Sequence, residues 1–389
     1  MSDNTKIYSS NNHPVEFDIY GMAGVRLINP SPADAEAVTR QLGPLHAVLE
    51  GEPDITIQFV EEIPTPTLNY LGLDFVGFDA EGLYILKSKK ARAKVRIPFE
   101  QIGQPLEILC ETGLRRVPLL TALINLAMIR KGHVPLHAAG FEYNGAGVLV
   151  TGWSKGGKTE ALLSFADHGA RYVGDEWVFL SADGRRMFGL TEPIHVWDWQ
   201  TKYLTRIKPP VKREKKILFK MIRSLDRFNR MLSRRGWNRA FPLKILDEAM
   251  PAFKRQLHVT LPPQTIFEKE KLRRGAPVDK IFYVGSWNRP EIRVEPFDAR
   301  EIAGRMAHSN RFELTPFFEY YHAFRFAFPE RENPFLETVH ERHAELLRRA
   351  LEGKEAYRVL HPYPVSLTEL FRSMEPFCQA NITVEKNAE

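Results

Sequence analysis

Eight consecutive residues, Gly152-Trp153-Ser154-Lys155-Gly156-Gly157-Lys158-Thr159, satisfy the pattern G-x-x-x-x-G-K-[ST], whose chemistry is the cradling of phosphate. A glycine-rich turn lets successive backbone N–H groups converge on one anion. A helix starting at its end adds roughly half a positive charge at the same point. Lys158 is expected to reach the β/γ oxygens of a nucleoside triphosphate and Thr159 to hold Mg²⁺, with Glu160 trailing the loop as part of the same binding segment. Such a loop works only between a strand and a helix. Gly147-Val148-Leu149-Val150-Thr151 is an apolar run of strand length, and Lys158 to His168 has helical character closed by Gly169. ATP with Mg²⁺ is the expected ligand.

Transfer of a phosphoryl group asks for more than a cradle: a metal-holding carboxylate, and a base for the acceptor's proton. Arg171-Tyr172-Val173-Gly174 forms a short strand that ends in Asp175-Glu176, sixteen and seventeen positions beyond Thr159, a natural distance for one helix and a return strand. One of these acids could bind Mg²⁺ directly or through water while the other takes the proton. The spacing does not say which. Lys155 either contacts the γ-phosphate or is solvated. Other chemistries find no support. His340 and His343 stand three apart on an expected helix without a third ligand or an H-E-x-x-H pattern, and no nucleophile elbow occurs.

The surrounding elements must position this set. Residues from about Val15 to Glu111 mix short alternating runs, such as Ile55-Thr56-Ile57-Gln58-Phe59-Val60 and Gly82-Leu83-Tyr84-Ile85-Leu86, with a helix near Ala33 to Gln41. This pattern predicts a small α+β domain over 1–115. An apolar helix from about Val117 to Arg130 leads into a second domain, 116–389, where a strand at Val134 to Glu142 and the loop strand flank an Asn144-Gly145 hairpin turn. Further on come a strand at Lys280 to Val284, an aromatic-rich stretch from Phe312 to Phe328, a helix near Pro334 to Leu351, and a final strand and helix from Ala356 to Met374. The fold class is α/β, with two domains.

At 389 residues the chain is long enough for two cores, and Cys110 and Cys378 form neither a disulfide framework nor a zinc motif. The N-terminus lacks a secretory pattern and no apolar run is long enough to span a bilayer, so a soluble cytoplasmic protein is expected. The net charge of +6 is uneven: fourteen Lys and Arg between Lys202 and Arg239 face only Glu214 and Asp226, a local +12 that leaves −6 for the rest. Within this basic insertion, at about 202–245, Ile217, Leu218, Met221, Ile222, Leu225, Phe228 and Leu232 recur at helical spacing. Such a basic amphipathic helix packs with a solvated charged face, docks an acidic protein or peptide, or meets nucleic acid or an anionic membrane. No nucleic-acid-binding motif accompanies it.

Pro135-Leu136-His137-Ala138-Ala139-Gly140, the loop with its preceding strand and trailing Glu160, and Gly169-Ala170-Arg171-Tyr172-Val173-Gly174-Asp175-Glu176 resemble the catalytic domain of the HPr kinase/phosphorylase family. The resemblance covers about His133 to Leu180. It implies a P-loop fold related to phosphoenolpyruvate carboxykinase, phosphorylation of a serine-type hydroxyl, and an oligomer as one form such relatives adopt. The family carries a histidine twenty-one positions ahead of the loop lysine, where His137 stands, and two adjacent aspartates, where Asp175 and Glu176 stand. The resemblance thereby gives His137, Lys158, Asp175 and Glu176 catalytic roles. Two departures matter: glutamate replaces the second aspartate, one methylene longer, and the family's downstream metal-binding motif has no counterpart beyond Glu192.

The expected function is an ATP-dependent kinase acting on a hydroxyl of a protein, peptide or small molecule, with the acceptor docked on the basic segment 202–239. The alternative is a nucleotide-binding accessory protein that transfers nothing. A third reading, small-molecule phosphoryl transfer as in carboxykinases or free-serine kinases, predicts a compact pocket.

Overall fold

Alternating apolar residues at Val15–Ile19 (β1) and Ala23–Ile28 (β2) close a hairpin, and Pro32–Leu42 (α1) follows under a Ser31 cap whose hydroxyl accepts the Asp34 N–H. This helix carries the chain to Ile55–Val60 (β3), parallel to β2. Val76–Phe78 (β4), Gly82–Ile85 (β5) and Val95–Pro98 (β6) then form an antiparallel meander, and Leu106–Glu111 (β7) inserts between β6 and β3. The result is one seven-stranded mixed sheet. The structure is a computed structural model and describes residues 14–72, 75–86, 93–204, 213–234, 257–267, 269–272 and 275–379. Parts of the expected basic insertion, 205–212 and 235–245, lie outside the described residues.

A nine-stranded sheet follows the apolar helix Leu120–Arg130 (α2). Its centre is Val134–Tyr143 (β8) and Ala146–Thr151 (β9), joined by Asn144 and Gly145, both at positive φ as a tight primed turn requires. Residues 134–141 of β8 and all of β9 are buried, so both sheet faces must be covered. On one face lie Lys158–Ala166 (α3) and Leu367–Met374 (α9); on the other, Ala299–Glu313 (α6) and Pro334–Leu351 (α8). Lys280–Ser286 (β16) and Glu355–His361 (β18) continue the sheet parallel to β9, and Arg293–Pro296 (β17) ends it. Arg171–Gly174 (β10), Trp177–Leu180 (β11), Arg186–Gly189 (β12) and Ala276–Pro277 (β15) build the side beyond β8.

Several contacts join the halves, among them the Tyr20 hydroxyl donating to the Gly189 carbonyl at 2.8 Å. Thr315–Ala327 (α7) sends Phe317, Tyr321 and Phe324 into the first sheet's core, where each meets the ring of Phe99 at 5.0–5.9 Å. Asn333 caps α8 with its side-chain oxygen while its amide donates to the carbonyls of Phe99 and Ile102, both at 2.8 Å. The first sheet's core thus includes side chains from the last third of the chain. A separate antiparallel strand pair, Ile194–Trp197 (β13) with His258–Leu261 (β14), flanks in sequence the long helix Arg213–Arg234 (α4); a single helical turn, Pro263–Ile266 (α5), follows β14. The α/β class is as expected, and no helix among the described residues is long and apolar enough to cross a membrane.

Candidate functional site

The glycine loop runs from the end of β9 into α3, the strand–loop–helix order its motif requires. Its path is set by crowding. A Cβ on Gly157, at φ +113°, would lie 2.2 Å from the His361 Nε2, and His361 itself donates to the Gly156 carbonyl at 3.0 Å. Lys155 sits at φ +62°, where a side chain is rarely tolerated, so the turn is strained as functional loops often are. The Lys158 ammonium, 6% exposed, donates to the carbonyls of Gly152 and Trp153 at 3.2 and 3.1 Å. Burial lowers its pKa, and the charges of Glu176, Asp175 and Glu313 counter that only in part. Glu160 is buried beside it, its carboxyl raised by burial and held by the Gln200 amide at 3.0 Å. Trp153 and Lys155 are exposed and Ser154 half-buried.

Both acids sit at a break in a strand. β10 pairs with Gly140–Glu142 and β11 with Val134–His137, so together they form one interrupted strand along β8. The interruption is Asp175-Glu176. The Trp177 N–H bonds the Asp175 carbonyl at 2.9 Å across Glu176, which sits at φ +66°, a strained three-residue turn that lifts both carboxylates out of the sheet toward the loop. Gly174 makes the break possible by packing its Cα against Gly189 where no side chain fits.

The two carboxylates have different surroundings. Asp175 is 3% exposed and accepts the Thr159 hydroxyl at 3.1 and 3.3 Å. Burial, then the charge of Glu176, pushes its pKa from 3.8 to about 7. Glu176 is the outer acid, its side chain 42% exposed, and is bonded to His137 Nε2 at 2.9 Å. That bond holds its carboxylate below the usual range despite burial. The side chain therefore stays ionised at neutral pH. Glu192 is half-buried nearby, and burial followed by the charge of Glu176 raises it to about 7.

His137 is held from three sides. Its other ring nitrogen, Nδ1, lies 2.6 Å from the Glu313 carboxylate, close enough for an ion pair though not aligned as a hydrogen bond. Burial alone would lower its pKa, but contacts with Glu176 and Glu313 outweigh that and raise it. Its backbone N–H donates to Asn310 at 3.2 Å, while His343 Nε2 donates to the carbonyl of Pro135 at 2.9 Å. Burial lowers the His343 pKa to about 4, so it serves as a neutral donor that fixes β8. Glu313 and Asn310 escape sequence reasoning entirely. They are more than 170 residues from His137, on a helix marked by no motif, and no local pattern could have found them.

The expected loop residues, the two acids, His137 and Glu192 thus share one region. Among the described residues no three His, Cys, Asp or Glu side chains form a self-contained metal cage. Mg²⁺ does not require one, since one or two carboxylates with phosphate and water oxygens suffice. Thr159 with Asp175 offers such a donor pair, and a cation there would relieve the repulsion that raises Asp175.

The basic helix α4 is amphipathic, but its apolar face is only partly covered. Phe219 is buried in one cluster with β13 and β14 residues and Ile222 is also buried, whereas Ile217, Met221, Leu225 and Phe228 are exposed. Leu218 is half-buried, and the side chain of Leu232 lies outside the described residues. Arg223 reaches Asp198 at 3.3 Å, two residues before the Gln200 that holds Glu160, so the helix is anchored close to the loop. Comparison with models of known families and with characterised proteins gives no match for this chain.

Proposed function

We propose that this protein is an ATP-dependent kinase of the HPr kinase type, on the fold related to phosphoenolpyruvate carboxykinase, acting on a serine-type hydroxyl in the cytoplasm. The observation that carries the proposal is the hydrogen bond from Thr159 to Asp175, with the next residue, Glu176, paired to His137. Metal-holding oxygens and an ionised base then lie side by side at the start of α3.

Bound Mg²⁺ and ATP would supply the phosphoryl group and the neutralisation of its charge. Lys158 and the loop amides would hold phosphate oxygens, and Thr159 with Asp175 would hold the metal, with Glu192 as a further metal-binding candidate. Glu176 accepts the acceptor's hydroxyl proton as that oxygen bonds to phosphorus and the bond to the ADP oxygen breaks. The proton then leaves to solvent, which Glu176 meets. His137 keeps the Glu176 carboxylate aimed outward, and the one-methylene extension over aspartate is taken up by this contact. The basic helix α4, anchored on the Gln200 flank of the loop, offers a docking surface to a part of the acceptor remote from its hydroxyl. Cys110 and Cys378, free and buried, fit a reducing compartment.

One observation favours a second reading, a nucleotide-binding accessory protein. Glu176 Oε2 is already engaged by His137 at 2.9 Å, which would blunt a base. Transfer of label from γ-labelled ATP with Mg²⁺ to lysate proteins or free serine separates the two. Label appearing with wild type but with neither Lys158→Ala nor Glu176→Ala is the kinase outcome. Lys158-dependent ATP binding with no label leaving it is the accessory outcome.

A further inference from the structure

We propose that Trp153 and Phe312 form the acceptor's platform, and that the acceptor is a peptide segment with a large apolar side chain beside its hydroxyl and a carboxylate further along. The proposal rests on the kinase reading above. The two rings meet at 4.9 Å, tilted by 35°, while remaining 48% and 51% exposed. Paired aromatic surface left in water at the mouth of a site marks a place where a ligand docks.

Position decides which ligand. Phe312 directly precedes Glu313, which contacts His137, which holds Glu176. The platform therefore lies on the proton-accepting side of the loop. The opposite flank, by Glu160 and His361, has its own aromatic pair, half-buried Trp199 with exposed Tyr363 at 6.1 Å, where a nucleobase would lie. A base stacked on Trp153 would put the nucleotide where the acceptor must come.

Size and charge narrow the class. A cleft of about 200 Å³ runs from Trp153 along α6, lined by Tyr283, Arg305, His308 and Ser309. That is below the 300–1,000 Å³ of sites that enclose whole small molecules, and suits one inserted side chain. Ser309 is 2% exposed and, among the described residues, its hydroxyl has no hydrogen-bond partner. Lys155 and Arg305 are exposed beside Trp153, and Arg305 meets an exposed Glu301 at 3.5 Å. The excess of cations favours a carboxylate on the incoming segment.

The test uses the full chain, Mg²⁺, γ-labelled ATP, free serine, and serine peptides differing only in the residue beside the serine. ADP affinity is measured alongside. We expect the wild type to favour Phe- over Ala-flanked peptides by about tenfold in kcat/KM, the scale of one buried apolar contact. Phe312→Ala should cut that preference to about threefold or less with ADP affinity within about twofold, and Phe312→Tyr should restore it. Equal labelling of both peptides, free serine labelled as well as any peptide, or no peptide labelled while ADP binds would each overturn the proposal. So would a tenfold loss of ADP affinity in Phe312→Ala, which would make the platform the nucleobase's. Failure of the wild type to bind ADP at all would remove the kinase reading, and the platform with it.

Discussion

The two halves of the site are built differently. The phosphate loop is eight contiguous residues whose work is done mainly by backbone groups, fixed by glycines and by the contact of Gly157 with His361. The acid–histidine half is assembled from side chains on three separate elements: His137 on β8, Asp175 and Glu176 at the strand break, and Glu313 at the end of α6. A contiguous loop binds because of its shape. A dispersed cluster acts because charges are balanced, so it should respond to single substitutions and to pH in ways the loop does not.

Removing the ammonium at the shared boundary should have the largest effect. Lys158→Ala is expected to lower kcat by about a thousandfold, the scale of one well-placed charge at a developing anion, and to weaken ADP binding as well. A milder phenotype in steady-state kinetics would mean that the loop carbonyls, not phosphate, are the lysine's working partners. Glu176→Gln should cost about a hundredfold in kcat through loss of proton transfer, while ADP affinity measured by calorimetry stays within about twofold. Equal losses in both would erase the division between the two halves.

Asp175 tests the balance through stability. Its folded pKa, near 7 against an ordinary 3.8, means the folded state holds a proton that the unfolded chain releases. The buried carboxyl therefore costs stability as pH rises from about 4 to 7, on the order of 2–4 kcal/mol above that window. Asp175→Asn, in chelator-treated buffer, should stabilise the protein at pH 8 and have little effect at pH 4.5. Denaturant unfolding at the two pH values checks this, and a destabilised variant at pH 8 would show that the charge is compensated.

Glu313→Gln should lower kcat about tenfold with KM unchanged, the cost of a loosened positioning contact. Because Glu313 helps to raise the His137 pKa, its loss should also move the alkaline limb of the pH profile downward. An unmoved limb would mean that Glu176 alone sets the histidine. The smallest effect is expected on α4: reversing Lys216, Lys220 and Arg227 together should raise the KM of an acidic acceptor several-fold at low salt, and the difference should shrink as salt is added. Salt-insensitive kinetics would leave the helix without a docking role.

The amino-acid sequence by itself determined the local features. The order of strand, glycine loop and helix, the Asn144-Gly145 turn, the helix Pro334–Leu351 and the placing of Asp175-Glu176 at a strand end all follow from periodicity and turn chemistry within a few residues. Tertiary structure alone decided what those residues face. It paired Glu176 with His137 but Asp175 with Thr159, brought α6 to His137, and left part of the α4 apolar face exposed. It also drew α7 into the core of the first sheet, although Phe99 and Phe317 lie 218 positions apart. Periodicity reports which side of an element is buried, but not against what. Contacts between distant elements depend on chain closure and packing, for which a local pattern carries no signal.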